Sequence, residues 1–583
     1  MTDSPTIVRA VSGDRPNKGE VRVASLQYGV TTDVEANLAK TLHMIDLAAA
    51  EKPDVVITVE FANHVSWYEN RDQVLAAAIT MDGPWVKQVG AKAKEHGLWV
   101  LLNGIVRREG ERVTGSNLLF NPDGELVHQS SKQVLMGSER DHFDPGDEVT
   151  PIAQTPLGAT GTYSCMDGVI METPRSLAVR GARVLLNTIN SFAPDEASLH
   201  VPVRAAENKV WVVSANKVDF LVPESFAPKV AEALMADVDT LRGSGESMVV
   251  APDGRIVAVA PRRGDAILVV DIDPSEADDK TRPDGTDVMA ARRPEIYGPL
   301  AEAPKGRQHG EGAETVKSAV IQLAADGEDA IAEAAAKVKE AAENGAQLIV
   351  LPELFCYEGG VGARAGVVSV AFRAHNATQA LTEAVAGTDA VVVTSLPHEG
   401  YHVGVVIGKD GVLHRQKQLH RIERHAGTAE KLGDAIEVLQ LPWGRLAVVV
   451  GDDSIFPETF RLASLQDADV VAVPLNVQEA WELETGLLER AAENRVNLVA
   501  ASRPSVGGGG SIVVPLADFG MWRKDRKERF DGVISCPKPV RIAPGAGITY
   551  VDVHPAEATN RMVTKATDLV DGRPWNLLEG VVG

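Results

Sequence analysis

Two tandem α/β domains of one plan are what this sequence predicts, and three observations lead there. At 583 residues the chain is too long for a single core, given about 100 to 200 residues per domain. An order of strand, helix, strand and acid occurs twice along it. Most tellingly, Cys165 in Thr162-Tyr163-Ser164-Cys165-Met166-Asp167 is followed by Glu172 after seven residues and by Glu207 after 42, and Gly451 is followed at the same offsets by Glu458 and Glu493. The chain therefore reads as a duplication in which one copy keeps a thiol and the other has a glycine in its place.

The polar stretch 1–20 is expected to be a mobile leader. From Val21 to Gln27 the β-branched run reads as a strand, and Val34, Leu38, Leu42, Ile45 and Ala49 recur at helical spacing. A buried strand at Val55 to Val59 then ends at Glu60. The second copy repeats this with a strand at Val316 to Leu323, a helical stripe of Ile331, Ala335, Val338 and Ala342, and a strand from Leu348 that ends at Pro352-Glu353. Asn117 to Gly124 and Val405 to Gly411 are strands running into turns, each followed by a lysine, Lys132 and Lys417. Alternation of strands and helices argues for sheets covered by helices in both copies. Residues from about Asp271 to Glu314 are rich in Pro, Gly and charge and read as an exposed connection. The boundaries that follow are a leader at 1–20, a first domain at 21–300, a linker at 301–314 and a second domain at 315–583. Gly507 to Gly510 looks like a phosphate loop, but the strand-like Ile512-Val513-Val514 stands where a helix N-terminus would be needed, so it reads as a tight turn.

Composition narrows the partners. Hydrophobic residues at 44% and charged residues at 24% are globular values. A formal charge of -23 disfavours nucleic acid and anionic membranes, whose binding depends on Lys and Arg, and points to a small-molecule partner. No apolar run has membrane-spanning length and no signal sequence opens the chain, so a cytoplasmic location is expected. The three cysteines, Cys165, Cys356 and Cys536, lack the paired spacing of zinc or redox sites, and neither a metal nor a cofactor is expected.

A thiol attacks carbonyl carbon only when a base takes its proton or a cation stabilises the thiolate. Glu60 can serve as base and Lys132 as cation, and order and spacing place both before Cys165. On these residues the chain resembles the nitrilase, or carbon-nitrogen hydrolase, superfamily, whose members use a Glu-Lys-Cys triad. The resemblance assigns Glu60, Lys132 and Cys165 to that triad and Glu139, in Gly137-Ser138-Glu139-Arg140, to the second glutamate that orients the lysine. It extends through Arg204-Ala205-Ala206-Glu207-Asn208 and Arg292-Arg293-Pro294-Glu295, and resumes from Val316 to about Val551. It implies two α-β-β-α sandwiches packed as an intramolecular pseudo-dimer, with a further homo-oligomer left open. In the second copy Glu353 and Lys417 match the first two triad positions and Glu423 the further acid, but Gly451 cannot form a thioester.

Departures from the family pattern bear on the substrate. Ile170-Met171-Glu172 replaces the usual Phe-Pro-Glu, and Val169 stands where acid-recognising members carry arginine. Met166, Asn190 and Phe192 are expected at a partly apolar substrate pocket. Asp167, two residues past the cysteine, resembles the amidase and carbamoylase branches. The resemblance thus implies hydrolysis of a small carboxamide to acid and ammonia through a Cys165 thioester, with nitrile or N-carbamoyl substrates as alternatives. A sensor or scaffold that binds amides without turnover is the alternative of another class.

Overall fold

Each half of the protein is a four-layer sandwich of helix, sheet, sheet and helix, in a computed structural model that describes residues 4–360, 367–427, 429–504, 509–517, 520–522 and 528–583. In the first half a seven-stranded sheet carries Val21–Gln27, Val55–Ile57 and Trp99–Arg107 as parallel neighbours near its centre. A six-stranded sheet carries Gly158–Ser164, Val184–Ile189 and Trp211–Asn216 in parallel. Alternate residues of these strands face one another. Val23, Val55, Ile57 and Leu101 pack against Val184, Leu186 and Val213 in the layer between the sheets. The outer faces are covered by helices Val34–Ala49 and Pro84–His96 on one side, and by Glu172–Val179 and Val201–Asn208 on the other. The second half repeats this with two six-stranded sheets. Its parallel centres are Val316–Gln322, Leu348–Glu353 and Val391–His398 in one sheet and Gly444–Val448, Val470–Leu475 and Asn497–Ser502 in the other.

The halves meet through the helices that follow the two pseudo-equivalent turns. Arg175 in Glu172–Val179 pairs with Glu458 at 2.8 Å, and Arg461 in Pro457–Ser464 pairs with Glu172, also at 2.8 Å. One layer further on, Arg204 reaches Glu493 at 2.8 Å and Arg490 reaches Glu207. Residue i contacts the twin of j and j the twin of i, which is the signature of a twofold interface now enclosed in one chain. Apolar residues from both halves, among them Met171, Leu199, Phe460 and Leu488, form one continuous core there.

Two expectations are corrected. The leader is not mobile throughout, because Thr6–Ala10 is a parallel edge strand on Ala266–Ile272, and it is what makes the first sheet seven-stranded. Backbone pairing along the sheet edge holds it, with Ile7, Val8 and Ala10 only partly buried against the core, so a run this short gave little signal. The stretch 271–314 is likewise not exposed throughout, since Arg282, Tyr297 and Leu300 are buried. This tail crosses to the second half, where Tyr297 Oη lies 2.6 Å from His420 Nε2. The tail of the second half crosses in return, and Thr567 Oγ1 accepts from Gly137 N–H at 2.8 Å. In the glycine run, Gly507 and Gly508 lie outside the described residues, and Ser511 opens the strand Ser511–Val514. Among the described residues no helix is long and apolar enough to cross a membrane.

Candidate active site

Four elements of the first half deliver the candidate residues to one place. Glu60 follows the central strand Val55–Ile57, and its N–H reaches across to Ile189 O. Lys132 follows the strand Leu126–Ser131, and Glu139 opens the short helix Glu139–His142. Cys165 sits at the turn between Gly158–Ser164 and Met166–Val169, with φ of +46°, a left-handed conformation that side chains adopt rarely and that recurs at functional turns. Its N–H donates to Thr188 O at 2.9 Å and to Asn187 Oδ1 at 3.1 Å, so the adjacent strand secures the turn. The Asp167 carboxylate accepts from the N–H groups of Gln133 and Val134 at 3.0 and 2.8 Å, which ties the lysine loop to the cysteine turn.

The electrostatics follow from burial and pairing. Lys132 Nζ lies 2.9 Å from Glu60 Oε1 and 2.9 Å from Glu139 Oε2, and Met136 N–H fixes Glu139 by donating to the same Oε2 at 2.8 Å. Burial opposes the charged lysine, but the Glu139 and Glu60 carboxylates outweigh it and hold the ammonium well above its ordinary range. Burial raises Glu60 against the pull of Lys132. Burial and then the Glu60 carboxylate push the Cys165 thiol well above the thiol range, so at neutral pH the sulfur keeps its proton until a base removes it. Glu60 Oε2 has no hydrogen-bond donor and is free to be that base.

Beside the thiol lies a cavity of about 170 Å³, lined by Cys165, Glu139, Met166, Asn190 and Phe192 together with Val169, Leu221 and Leu234. All three residues expected at the pocket therefore line it. Met521, Trp522, Ile534 and Thr564 of the second half complete the wall. Two buried groups here were missed by sequence reasoning. Glu196 Oε1 is 3.8 Å from Cys165 Sγ, and burial pushes its carboxyl up to about 7. Lys217, 5.8 Å from the Phe61 ring, has no hydrogen-bond partner at Nζ and is pulled down by burial to about 7.

The second site corrects two expected residues. Lys417 is exposed and lies over the Tyr401 ring at 4.6 Å, outside the site. Its strand pairs so that Lys417 faces Val403, as Ser131 pairs with Ser116, and the next residue turns inward. Gln418 therefore stands where Lys132 does in the first half. Glu423 is likewise half exposed, and His425 takes the position of Glu139. Glu353 is buried, at 2.5 Å from Arg424, and a Cβ on Gly451 would lie 2.2 Å from its Oε2. Glu353, His402 and His425 bring one carboxylate and two imidazoles within 4.8 Å, a donor set of metal-binding type. The Arg424 guanidinium already neutralises that carboxylate, which disfavours a second cation.

Comparison with known proteins finds a family and several relatives. The model of the carbon-nitrogen hydrolase family matches residues 22–281 and, again, 317–515. An aliphatic nitrilase of Sinorhizobium fredii is 29% identical over 265 residues, covering 42% of this chain and 83% of the nitrilase. An (R)-stereoselective amidase of a Pseudomonas species is 28% identical over 279 residues, covering 47% of this chain and 92% of the amidase. Among solved structures, an amidase from Nesterenkonia sp. aligns at 21% identity with a TM-score of 0.37, covering 47% of this chain and 93% of its own.

Proposed function

The chain belongs to the carbon-nitrogen hydrolase family, and from that premise we propose that its first half hydrolyses a small carboxamide to acid and ammonia. Glu60 takes the thiol proton as Cys165 Sγ bonds to the carboxamide carbon, and the Lys132 ammonium stabilises the oxyanion. The C–N bond breaks as Glu60 returns that proton to the departing nitrogen. Water, giving a proton to Glu60, then attacks the thioester, the C–S bond breaks and the sulfur is reprotonated. General base catalysis of this kind contributes about 10²- to 10⁴-fold and a cation at an oxyanion about 10²- to 10³-fold.

The observation that carries the reading is the Lys132 ammonium held at 2.9 Å from both Glu60 and Glu139, with the Cys165 sulfur facing a cavity in the same site. The second half contributes no nucleophile, because Gly451 has no side chain and Gln418 no charge. Ammonia release from a panel of carboxamides, nitriles and ureido compounds tests the reading. Carboxamides should be turned over, and the activity should be lost both in Cys165→Ala, which removes the nucleophile, and in Glu60→Gln, which removes the base that takes its proton. Ligand-induced stabilisation with no ammonia from any compound would replace the enzyme by a binding protein.

A further inference from the structure

The two halves differ most informatively at Glu196 and its twin. A shift of 286 residues, the separation of Cys165 and Gly451, carries Glu196 onto Glu482. Both open a single π-helical turn on the segment that follows a sheet strand, a local widening that recurs at functional positions. In the second half Glu482 is occupied. Arg282, arriving on the crossed tail of the first half, places Nη2 at 2.6 Å from Glu482 Oε1, Nε at 3.1 Å from Glu479 and Nη1 at 2.9 Å from Asp452, next to Gly451. A guanidinium thus fills the second site from within the chain.

In the first half no guanidinium takes that place among the described residues. The same shift turns Asp452 into Met166, Glu479 into Ala193 and Arg282 into Asp568, whose carboxylate is taken up by the N–H groups of Val570 and Asp571. Only the acid at Glu196 is retained. It is buried and lines the cavity, and its Oε2 has no hydrogen-bond donor, with no ion pair among the described residues. Asn190 adds a second acceptor to the same wall. Its Nδ2 donates to Ser66 Oγ at 2.9 Å, which leaves Oδ1 facing without a donor. Buried acceptors with no donor are costly unless a ligand supplies one.

We infer that Glu196 is a specificity-determining residue that takes an N–H donor carried by the substrate next to its scissile carbonyl, as Glu482 takes the Arg282 guanidinium. The inference rests on the amidase reading of this site. With Oε1 only 3.8 Å from the attacking sulfur, the donor lies one or two bonds from the carbonyl carbon. Apolar Met166, Val169, Leu221 and Leu234 line the remainder. The substrate class is therefore an α-amino carboxamide with an apolar side chain, whose ammonium would meet Glu196. A ureido N–H in the same position is the other source of this chemistry.

Three compounds of matched shape separate the cases: leucinamide, with an ammonium at the α position, isobutylurea, with an N–H there, and 4-methylpentanamide, with a methylene. Their dissociation constants are measured by calorimetry on the full chain carrying Cys165→Ala, which cannot turn them over, and on Cys165→Ala with Glu196→Gln. Leucinamide should bind about tenfold to a hundredfold tighter than 4-methylpentanamide, and Glu196→Gln should erase most of that preference. A preference for isobutylurea alone would assign the donor to a ureido group. Equal affinity for all three, no binding of any, or a preference that survives Glu196→Gln would overturn the inference. The Cys165→Ala comparison needs no change at Glu196, so a poorly folded double variant does not remove the test. Ammonia release by the unmodified protein is scored separately. Ordered affinities without ammonia would sink the amidase reading and leave the assignment of Glu196 standing.

Discussion

Replacing Arg175 by methionine should cost the protein about 3 kcal/mol at neutral pH, although the residue lies outside the cavity. Arg175 is fully buried on the helix Glu172–Val179, with Nε 2.8 Å and Nη2 3.3 Å from the two oxygens of Glu458 in the other half. Burial alone would raise the Glu458 carboxyl, but the guanidiniums of Arg175 and Arg292 hold it down at about 2 rather than 4.5. A carboxylate held that low carries about 3 kcal/mol of stability, in line with the ~3 to 5 kcal/mol lost when one partner of a buried ion pair is removed. The folded-state pKa is depressed, so this stability is present above about pH 4.5 and is lost as pH falls towards 2. Urea denaturation at pH 7 and pH 3 should find the gap between Arg175→Met and the unmodified protein wide at the first pH and narrow at the second. Adding Glu458→Leu to Arg175→Met should recover part of the loss, because it removes a carboxylate left with Arg292 alone at 3.1 Å. A gap under about 1 kcal/mol at pH 7, or one of equal size at pH 3, would refute the reasoning.

Glu196→Gln should flatten the fall in stability between pH 4.5 and 7, because a carboxyl raised by burial to about 7 favours the fold while protonated and opposes it once ionised, by ~3 kcal/mol; melting temperatures across that range would check it. Gly451→Cys in a Cys165→Ala background should release no ammonia and should melt lower than its parent, since the new Cβ would crowd Glu353 Oε2 and Gln418 stands at the position of Lys132. Trp522→Ala should raise KM by about tenfold with a smaller change in kcat, as Trp522 lines the cavity from the second half and carries none of the groups that move protons or attack the carbonyl; steady-state kinetics on the best carboxamide would decide.

Local pattern and internal repetition made much of this architecture legible. Helix Val34–Ala49 and strand Val316–Gln322 fall on the stripes that predict them, and Glu60, Lys132, Glu139 and Cys165 could be picked out before any coordinates. What escaped has a physical reason in each case. Lys132 precedes Cys165 by 33 residues and Lys417 precedes Gly451 by 34, and on a strand that one-residue difference moves a side chain to the opposite face. Strict use of the offset selects Gln418, and the same offset selects His425 over Glu423. Arg282 looked exposed because the acids that bury it come from about 170 to 200 positions away, beyond the reach of composition. Glu196 gave no local signal, yet it shared with Glu482 the same spacing that revealed the duplication.

Fusion explains how one site could close while the interface stayed symmetric. In a dimer of identical chains a substitution at the nucleophile position alters both sites at once, so a change that packs one shut abolishes function. Within a single chain the halves vary separately. The reciprocal pairs of Arg175 with Glu458 and Arg461 with Glu172 keep the same 2.8 Å contact on both sides. The counterparts of Cys165, Lys132 and Glu139 are meanwhile Gly451, Gln418 and His425. Closure is also cooperative in a physical sense: without a Cβ at Gly451, Glu353 can occupy the space a cysteine would need, and Arg424 and Arg282 neutralise the acids gathered around it. Reopening that site would strand buried charges unless several residues changed together, whereas the first site draws Met521, Trp522 and Ile534 of its partner half into the cavity wall. The second half is thereby held to the shape of its neighbour's pocket, a constraint independent of any chemistry of its own.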